Sequence, residues 1–558
     1  MTVYPDYRIF NQSGRPKKRF MKKLTLLFYF SVMSIGFVNA QFTWNRIWDY
    51  RYGGTSGDYQ ATFEKTRDGG YLLSGRTSSD SSGNKYSHMF GNGAFDYWVV
   101  KVNSVGIMQW EKSIRASGND MLWCMDVTSD GGYILGGTSD SPFGGDKMHA
   151  SRGGTDYWIV KLDSLGNVLW DQVYGGSGDE DFKFIMETAD GGFLVGGDSR
   201  SNVSGDKTEP KFGINDYWVV KTDAQGVKQW DKVYGGPGYE QYRVSVQTAD
   251  HGFIHGGASS SGVGGNKTDP TMGGIDYWLV RTDSMGVILW DNSYGGNADD
   301  NFHNMILTPG ENMLIGGWSL TDVSGDKTQP TNGQYDLWVL KLNSAGTILW
   351  DKDYGGTGIE DEFNHFYETA DHGFLIAAVS YSNTGADKSD DNLGVEQNWV
   401  LKIDSFGNRQ WDKTIFSLGH NEGLQIKQTL DPKCYVVFTG DNGLIGGDKT
   451  QDAWGGFSND FWIIKYCQGE INNVSDLNFT DEELLVYPNP FINEIKVKLN
   501  ASAHKGVAIA DLYDILGHKI LSRTINGDLT IDTSELPKGI YILEVSADNK
   551  SSVKKIVK

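Results

Sequence analysis

A unit of about 60 residues recurs along most of this 558-residue chain, so the chain must fold as an array of equivalent pieces. One copy, Asp179 to Gly236, reads DEDFKFIMETADGGFLVGGDSRSNVSGDKTEPKFGINDYWVVKTDAQGVKQWDKVYGG. Its landmarks return at intervals of 60–63 residues. One tryptophan series runs Trp98, Trp158, Trp218, Trp278, Trp338, Trp399 and Trp462; a second runs Trp48, Trp110, Trp170, Trp230, Trp290, Trp350 and Trp411.

Within a unit the pattern predicts four strands: about Phe182–Thr188, Phe193–Gly197, Asp216–Thr222 and Val227–Tyr234. Short runs of aromatic and β-branched residues alternate there with Gly-rich turns, a hairpin signal, and no helical period competes. Four antiparallel strands repeated seven times predict a seven-bladed β-propeller, an arrangement that leaves only short, protected edges. The strand around Trp44–Tyr52 precedes the first complete set, and the last set ends after Trp462 with no fourth strand behind it. Pairing these two closes the ring and hides two edges. The expected fold is therefore all-β: a propeller over 41–467 closed by its N-terminal strand, then a linker at 468–482 and a small β-sandwich at 483–558.

Both ends carry addresses. Met21–Ala40 has a basic start, an apolar run and a small-residue end, which predicts a signal peptide cleaved after Ala40. Its apolar run is short of the roughly 20 residues of a membrane span, so no integral span is expected after cleavage. Residues 1–20 precede a second possible start at Met21. At the other end, period-2 alternation with Pro, Asn and Gly turns reads as a β-sandwich. The pieces Tyr487-Pro-Asn-Pro490, Asp514-Ile-Leu-Gly-His518, Leu536-Pro-Lys-Gly-Ile-Tyr541 and Lys554-Lys-Ile-Val-Lys558 resemble the type A C-terminal sorting domain of the type IX secretion system. That resemblance implies Sec export, passage across the outer membrane with the type IX machinery as partner, and removal of the domain. The DGG, SGDK, DYWVVK and YGG elements also resemble the propeller repeats of secreted Bacteroidetes proteins. The hairpin Lys161-Leu-Asp-Ser-Leu-Gly-Asn-Val-Leu-Trp170 resembles that of quinoprotein-like propellers, which implies Trp docking between blades but not their cofactor.

The composition narrows the partners. Acids outnumber Lys and Arg by 71 to 50, and the terminal segments 1–40 and 483–558 are net basic, so the excess of negative charge lies between them. Nucleic acid is not an expected partner, because binding it rests on cationic contacts to phosphate.

Two repeated features carry candidate chemistry. Asp58, Asp120, Glu180, Glu240, Asp300 and Asp361 (Asn421 in the seventh copy) stand just before the first strand. If that strand is innermost they ring the channel mouth, where like charges raise one another's pKa unless a cation or donors compensate. They are the candidates for ligand or cation binding, with Ca²⁺ the ion to test; the opposing reading is that each caps its own connection. The second feature is the Gly-Asn/Asp-Lys motif ending at Lys85, Lys147, Lys207, Lys267, Lys327, Lys388 (with Ala386 in place of Gly) and Lys449, read as a loop-shaping turn with a solvated ion pair. Phe90 and Phe212, on the long loops, are the candidates for stacking on sugars. No metalloprotease, nucleophile-elbow or Walker motif is present, no catalytic residue is singled out, and no cofactor is identified. The expected function is a surface-displayed or released binding protein with a glycan or protein ligand on its long-loop face. The alternatives are a polysaccharide-active hydrolase or lyase, and a structural or adhesive component.

Cys434 opens the second strand of the last set and Cys467 follows its third. Antiparallel neighbours can bring their Cα atoms within the roughly 4.4–6.8 Å that a disulfide spans, and export supplies an oxidising compartment, so a disulfide is expected, with three unpaired cysteines as the alternative. Cys124 is expected to be a buried free thiol.

Overall fold

A computed structural model describes residues 43–91, 95–359, 362–394, 396–456, 458–469, 484–499, 508–514, 519–525, 528–547 and 550–558. The signal peptide, Asp361, Ile515–His518 and the linker at 470–482 lie outside them. The chain divides into two units, one covering Phe42–Gly469 and one containing Glu470–Lys558.

The first unit is propeller-like: seven four-stranded antiparallel sheets. Sheets I to VI each take four consecutive strands and cover 58–114, 120–174, 180–234, 240–294, 300–354 and 362–415. In sheet III these are Glu180–Glu187, Phe193–Ser199, Asp216–Thr222 and Lys228–Tyr234. The first two strands run beyond the sequence reading because the capping hydroxyl and carboxylate at their ends stay in register, Glu180 opposite Ser199. Sheet VII combines Asn421–Gln428, Cys434–Asp441 and Asp460–Gly469 with the N-terminal strand Thr43–Tyr52.

The core lies between sheets. Each neighbouring pair shares one apolar cluster, for example Tyr97 and Val99 of sheet I with Trp158 and Val160 of sheet II. Phe63 and Trp98 of sheet I pack in the same way with Phe438 and Phe461 of sheet VII. The aromatics recur because one contact recurs: Tyr97, Tyr157, Tyr217 and Tyr277 each donate a phenol hydroxyl to the backbone of the next sheet's Trp at 2.9–3.3 Å. The Trp indole N–H in turn donates to an acid of its own fourth strand, Trp158 to Asp171 at 3.0 Å. Buried aromatic area supplies the energy, and the satisfied N–H and O–H groups fix how each sheet faces the next.

The first strands share one irregularity. Each carries a bulge, between Leu122 and Cys124, Phe182 and Phe184, Tyr242 and Val244, and Phe302 and Asn304 in sheets II to V. The residues pushed out are Trp123, Lys183, Arg243 and His303. Bulges re-aim a side chain and are common beside binding sites.

In the second unit, sheets of three and four strands, 484–532 and 508–557, enclose one core built from Ile495, Val497, Ala510, Leu512, Leu543 and Val545.

Candidate functional site

Asp58, Asp120, Glu180, Glu240 and Asp300 open the first strands and are completely buried. Their backbone N–H groups bind the preceding sheet, Glu180 to the Thr155 carbonyl and Asp58 to the Asn459 carbonyl, both at 2.7 Å. Their carboxylates accept from their own connection. Glu180 takes the Gly176 N–H at 2.7 Å and the Ser199 hydroxyl at 2.8 Å. Asp300 takes Gly296 N–H at 2.8 Å and the Thr321 hydroxyl at 2.9 Å. Burial pushes the Asp58 carboxyl up to about 6 against these donors.

A second acid series, not singled out in the sequence, faces the first. Asp96, Asp156, Asp216, Asp276, Asp336 and Asp460 open the third strands and are also completely buried. Burial, and then the adjoining carboxyl of the next sheet, Glu180 or Glu240, push Asp156 and Asp216 up to about 7. The first glycine of each YGG belongs to this geometry: a Cβ on Gly175 would lie 1.8 Å from Asp156 Oδ1. Between sheets VI and VII both acids are replaced together, by Gln397 and Asn421, and the Ser417 N–H donates to Gln397 at 2.8 Å.

The Gly-Asp-Lys lysines correct the solvated-pair expectation. All seven are buried. Lys207 Nζ donates to the Ser199 hydroxyl at 2.9 Å and the Ser201 carbonyl at 2.8 Å, so Ser199 joins Lys207 to Glu180. Burial lowers Lys147, Lys207 and Lys267 to about 8 although acids surround them. The neighbouring Asp or Asn shapes the loop instead, as where Asn84 accepts the Gly53 N–H at 2.8 Å. Each junction thus carries its own ammonium group. Among the described residues no group of three or more His, Cys, Asp or Glu is placed to hold a metal ion.

The repeat departs from itself at the bulges. A cavity of about 270 Å³ is lined by Met121, Trp123 and Thr138 of sheet II, Asp181, Asp198 and Arg200 of sheet III, and the connecting residues Thr155, Asp179, Asn215 and Tyr239. Arg76 lies 4.5 Å from the Trp123 ring centroid and Lys183 5.5 Å. Lys183 pairs with Asp181 at 2.7 Å, and Arg200 with Asp179 at 3.6 Å. Asp198 accepts the Tyr242 N–H at 2.6 Å and is pushed up to about 7 by burial. Among the described residues, the buried Trp123 indole N–H and Asn215 Oδ1 have no hydrogen-bond partner. None of these was a sequence candidate. The signal was present as a column that varies (Trp123, Lys183, Arg243, His303) beside one that stays apolar (Leu122, Phe182, Tyr242, Phe302). Phe90 and Phe212 are partly exposed on their loops and do not line this cavity.

Cys434 and Cys467 are register partners in sheet VII and form the expected disulfide, with Cα atoms 4.0 Å apart, closer than the expected range. Cys124 is free and half-buried, and its thiol is pushed up to about 12 by desolvation.

Residues 485–558 match the secretion system C-terminal sorting domain family. The protein is a cargo of the type IX secretion system, delivered to the cell surface or the extracellular space. Among the described residues no helix is long and apolar enough to cross a membrane. No curated protein matches the chain. Among solved structures, a protein of unknown function from Dyadobacter fermentans is 11% identical, covering 76% of this chain and 99% of that one, with a TM-score of 0.41. The Neurospora crassa Pan2 WD40 domain is 9% identical over 78% and 98% of the two chains, TM-score 0.39. The polysaccharide lyase Uly1 is 8% identical over 74% and 90%, TM-score 0.39.

Proposed function

We propose that this protein is an exported binding protein built on a seven-bladed β-propeller closed by its N-terminal strand, with its ligand held on the face carrying the long loops. The reading rests on one observation above the others. The cavity gathers side chains from successive sheets at the place where an otherwise repetitive structure stops repeating, and a binding site for an asymmetric ligand needs such a place. The repeated acids, by contrast, are buried among their own donors and lysines, which supports a structural role at each junction. Engagement of Asp181 by Lys183 and of Asp198 by the Tyr242 N–H favours binding over catalysis, since cleaving a glycoside needs one carboxyl free to give a proton and another free to attack or activate water.

The test is a screen of the full chain against immobilised glycans and proteins, with and without Ca²⁺, coupled to a search for cleaved product. Saturable binding without turnover is the expected result. Release of shortened glycan would establish the polysaccharide-active alternative, and no binding to any class would leave a structural or adhesive role.

A further inference from the structure

We infer that the cavity between sheets II and III and their connections receives a single neutral, hydroxyl-rich ring, one sugar residue of a longer saccharide. This deepens the binding reading and depends on it.

The volume sets the scale. At about 270 Å³ the cavity falls just below the roughly 300–1,000 Å³ of sites for drug-sized ligands, enough for one ring and not for a chain. Its rim is open, because Asp179 and Arg200 are half exposed there, so a saccharide can continue into solvent. Charge decides against an ionic ligand. Three acids line the cavity, and three cations answer them: Lys183 on Asp181, Arg200 on Asp179, and Arg243 with Lys183 beside Asp198. A charged ligand would have to break one of these pairs.

Unmet hydrogen bonds then set the chemistry. The Trp123 indole N–H is a buried donor without a partner. Asn215, almost fully buried, gives its Nδ2 hydrogen to the Glu240 carbonyl at 2.7 Å and leaves Oδ1 unmatched. A donor and an acceptor left empty in one cavity fit a group that both gives and receives hydrogen bonds, which is a hydroxyl. An apolar ring of the same size would leave both groups unmatched and is disfavoured. Cations already lie over the Trp123 ring, and Tyr239 is the aromatic lining residue left to pack against a sugar face.

The experiment is equilibrium binding of the full chain to four probe sets: neutral glucan, mannan, galactan and xylan oligosaccharides; uronate or sulfated oligosaccharides; basic peptides; and cyclohexanol as an apolar ring. Trp123→Phe, which removes the N–H and keeps a ring, and Tyr239→Ala are compared after circular dichroism and melting show both folded. At least one neutral oligosaccharide is expected to bind, with a loss of about tenfold or more in each variant. Binding confined to charged probes or cyclohexanol, and weakened by the same variants, overturns the ligand class while the binding reading stands. Neutral binding that both variants leave intact overturns the site. Silence from every probe overturns the sugar ligand, and the binding reading then stands or falls on the wider screen of glycans and proteins.

Discussion

The indole N–H of Trp462, in the third strand of sheet VII, donates to Asp49 of the N-terminal strand at 3.2 Å across 413 residues of chain. In sheets I to VI the same bond lies within one repeat, from Trp98 to Glu111 at 2.7 Å and from Trp399 to Asp412 at 3.0 Å. Asp49 also accepts the Thr450 N–H at 3.0 Å and hydroxyl at 2.7 Å. One carboxylate therefore ties the start of the unit to its last loop and last strand.

Asp49→Ala leaves a buried indole N–H and a backbone N–H unmatched, and should cost about 2–6 kcal/mol, from roughly 1–3 kcal/mol for each orphaned donor. Asp231→Ala breaks the equivalent bonds of sheet III and should cost a similar amount. Only Asp49→Ala should also speed hydrogen exchange and proteolysis across 43–52, because only that strand is held solely by closure. Equal protection of 43–52 in the two variants would refute a closing role.

Removing the disulfide as Cys434→Ser with Cys467→Ser should destabilise the first unit by about 4 kcal/mol, as expected for releasing a loop of this size with a separation of 33 residues. Denaturant melts with and without reductant check this. An unchanged midpoint on reduction would show that sheet VII is held by its other contacts.

The buried acid pairs make stability depend on pH in an unusual direction. Asp156, Asp216 and Asp276, raised from 3.8 to about 7, keep protons that the unfolded chain releases. Stability should therefore fall as pH rises from about 4 through 7. Lys147, Lys207 and Lys267, lowered from 10.5 to about 8, act above that window, and stability should recover between about 8 and 10.5. The exposed turn carboxylates Asp130 and Asp190, lowered to about 2, matter only below about 4. Calorimetry from pH 4.5 to 10 should show a minimum near 7–8, made shallower by Asp156→Asn with Asp216→Asn. A melting temperature that rises from pH 5 to 7 contradicts this.

Calcium should have little effect on melting. A site held at 100 times its Kd would add about 2.7 kcal/mol, but the junction acids already face buried lysines. A rise on adding Ca²⁺ that disappears in Asp120→Asn with Glu180→Gln would instead establish the acid series as a cation site.

Much of the architecture could be read from the residues. The third strand, Asp216–Thr222, coincides with its expected bounds because a polar residue and a Gly-free apolar run mark both ends. The partnerless strand near Trp44 likewise pointed to the strand ending after Trp462. The varying column in the first strands was legible, but the cavity that its Trp123 lines was not, for a physical reason. A bulge inserts one residue into an alternating pattern, and alternation alone cannot tell which of Phe182, Lys183 and Phe184 is the extra one. Nor could lysine burial be read, because Lys207 depends on a hydroxyl and a carbonyl that only the folded loop brings to it.

Thr43 stands opposite Gly469 in register, and that pairing sets a timetable. A chain made from its N-terminus produces Thr43–Tyr52 first and its partner last. Sheets I to VI can each complete themselves from adjacent sequence, while the earliest strand waits with a bare edge until the whole unit has been made. A truncated or stalled chain can therefore never hide that edge, and is distinguishable from finished cargo by it alone.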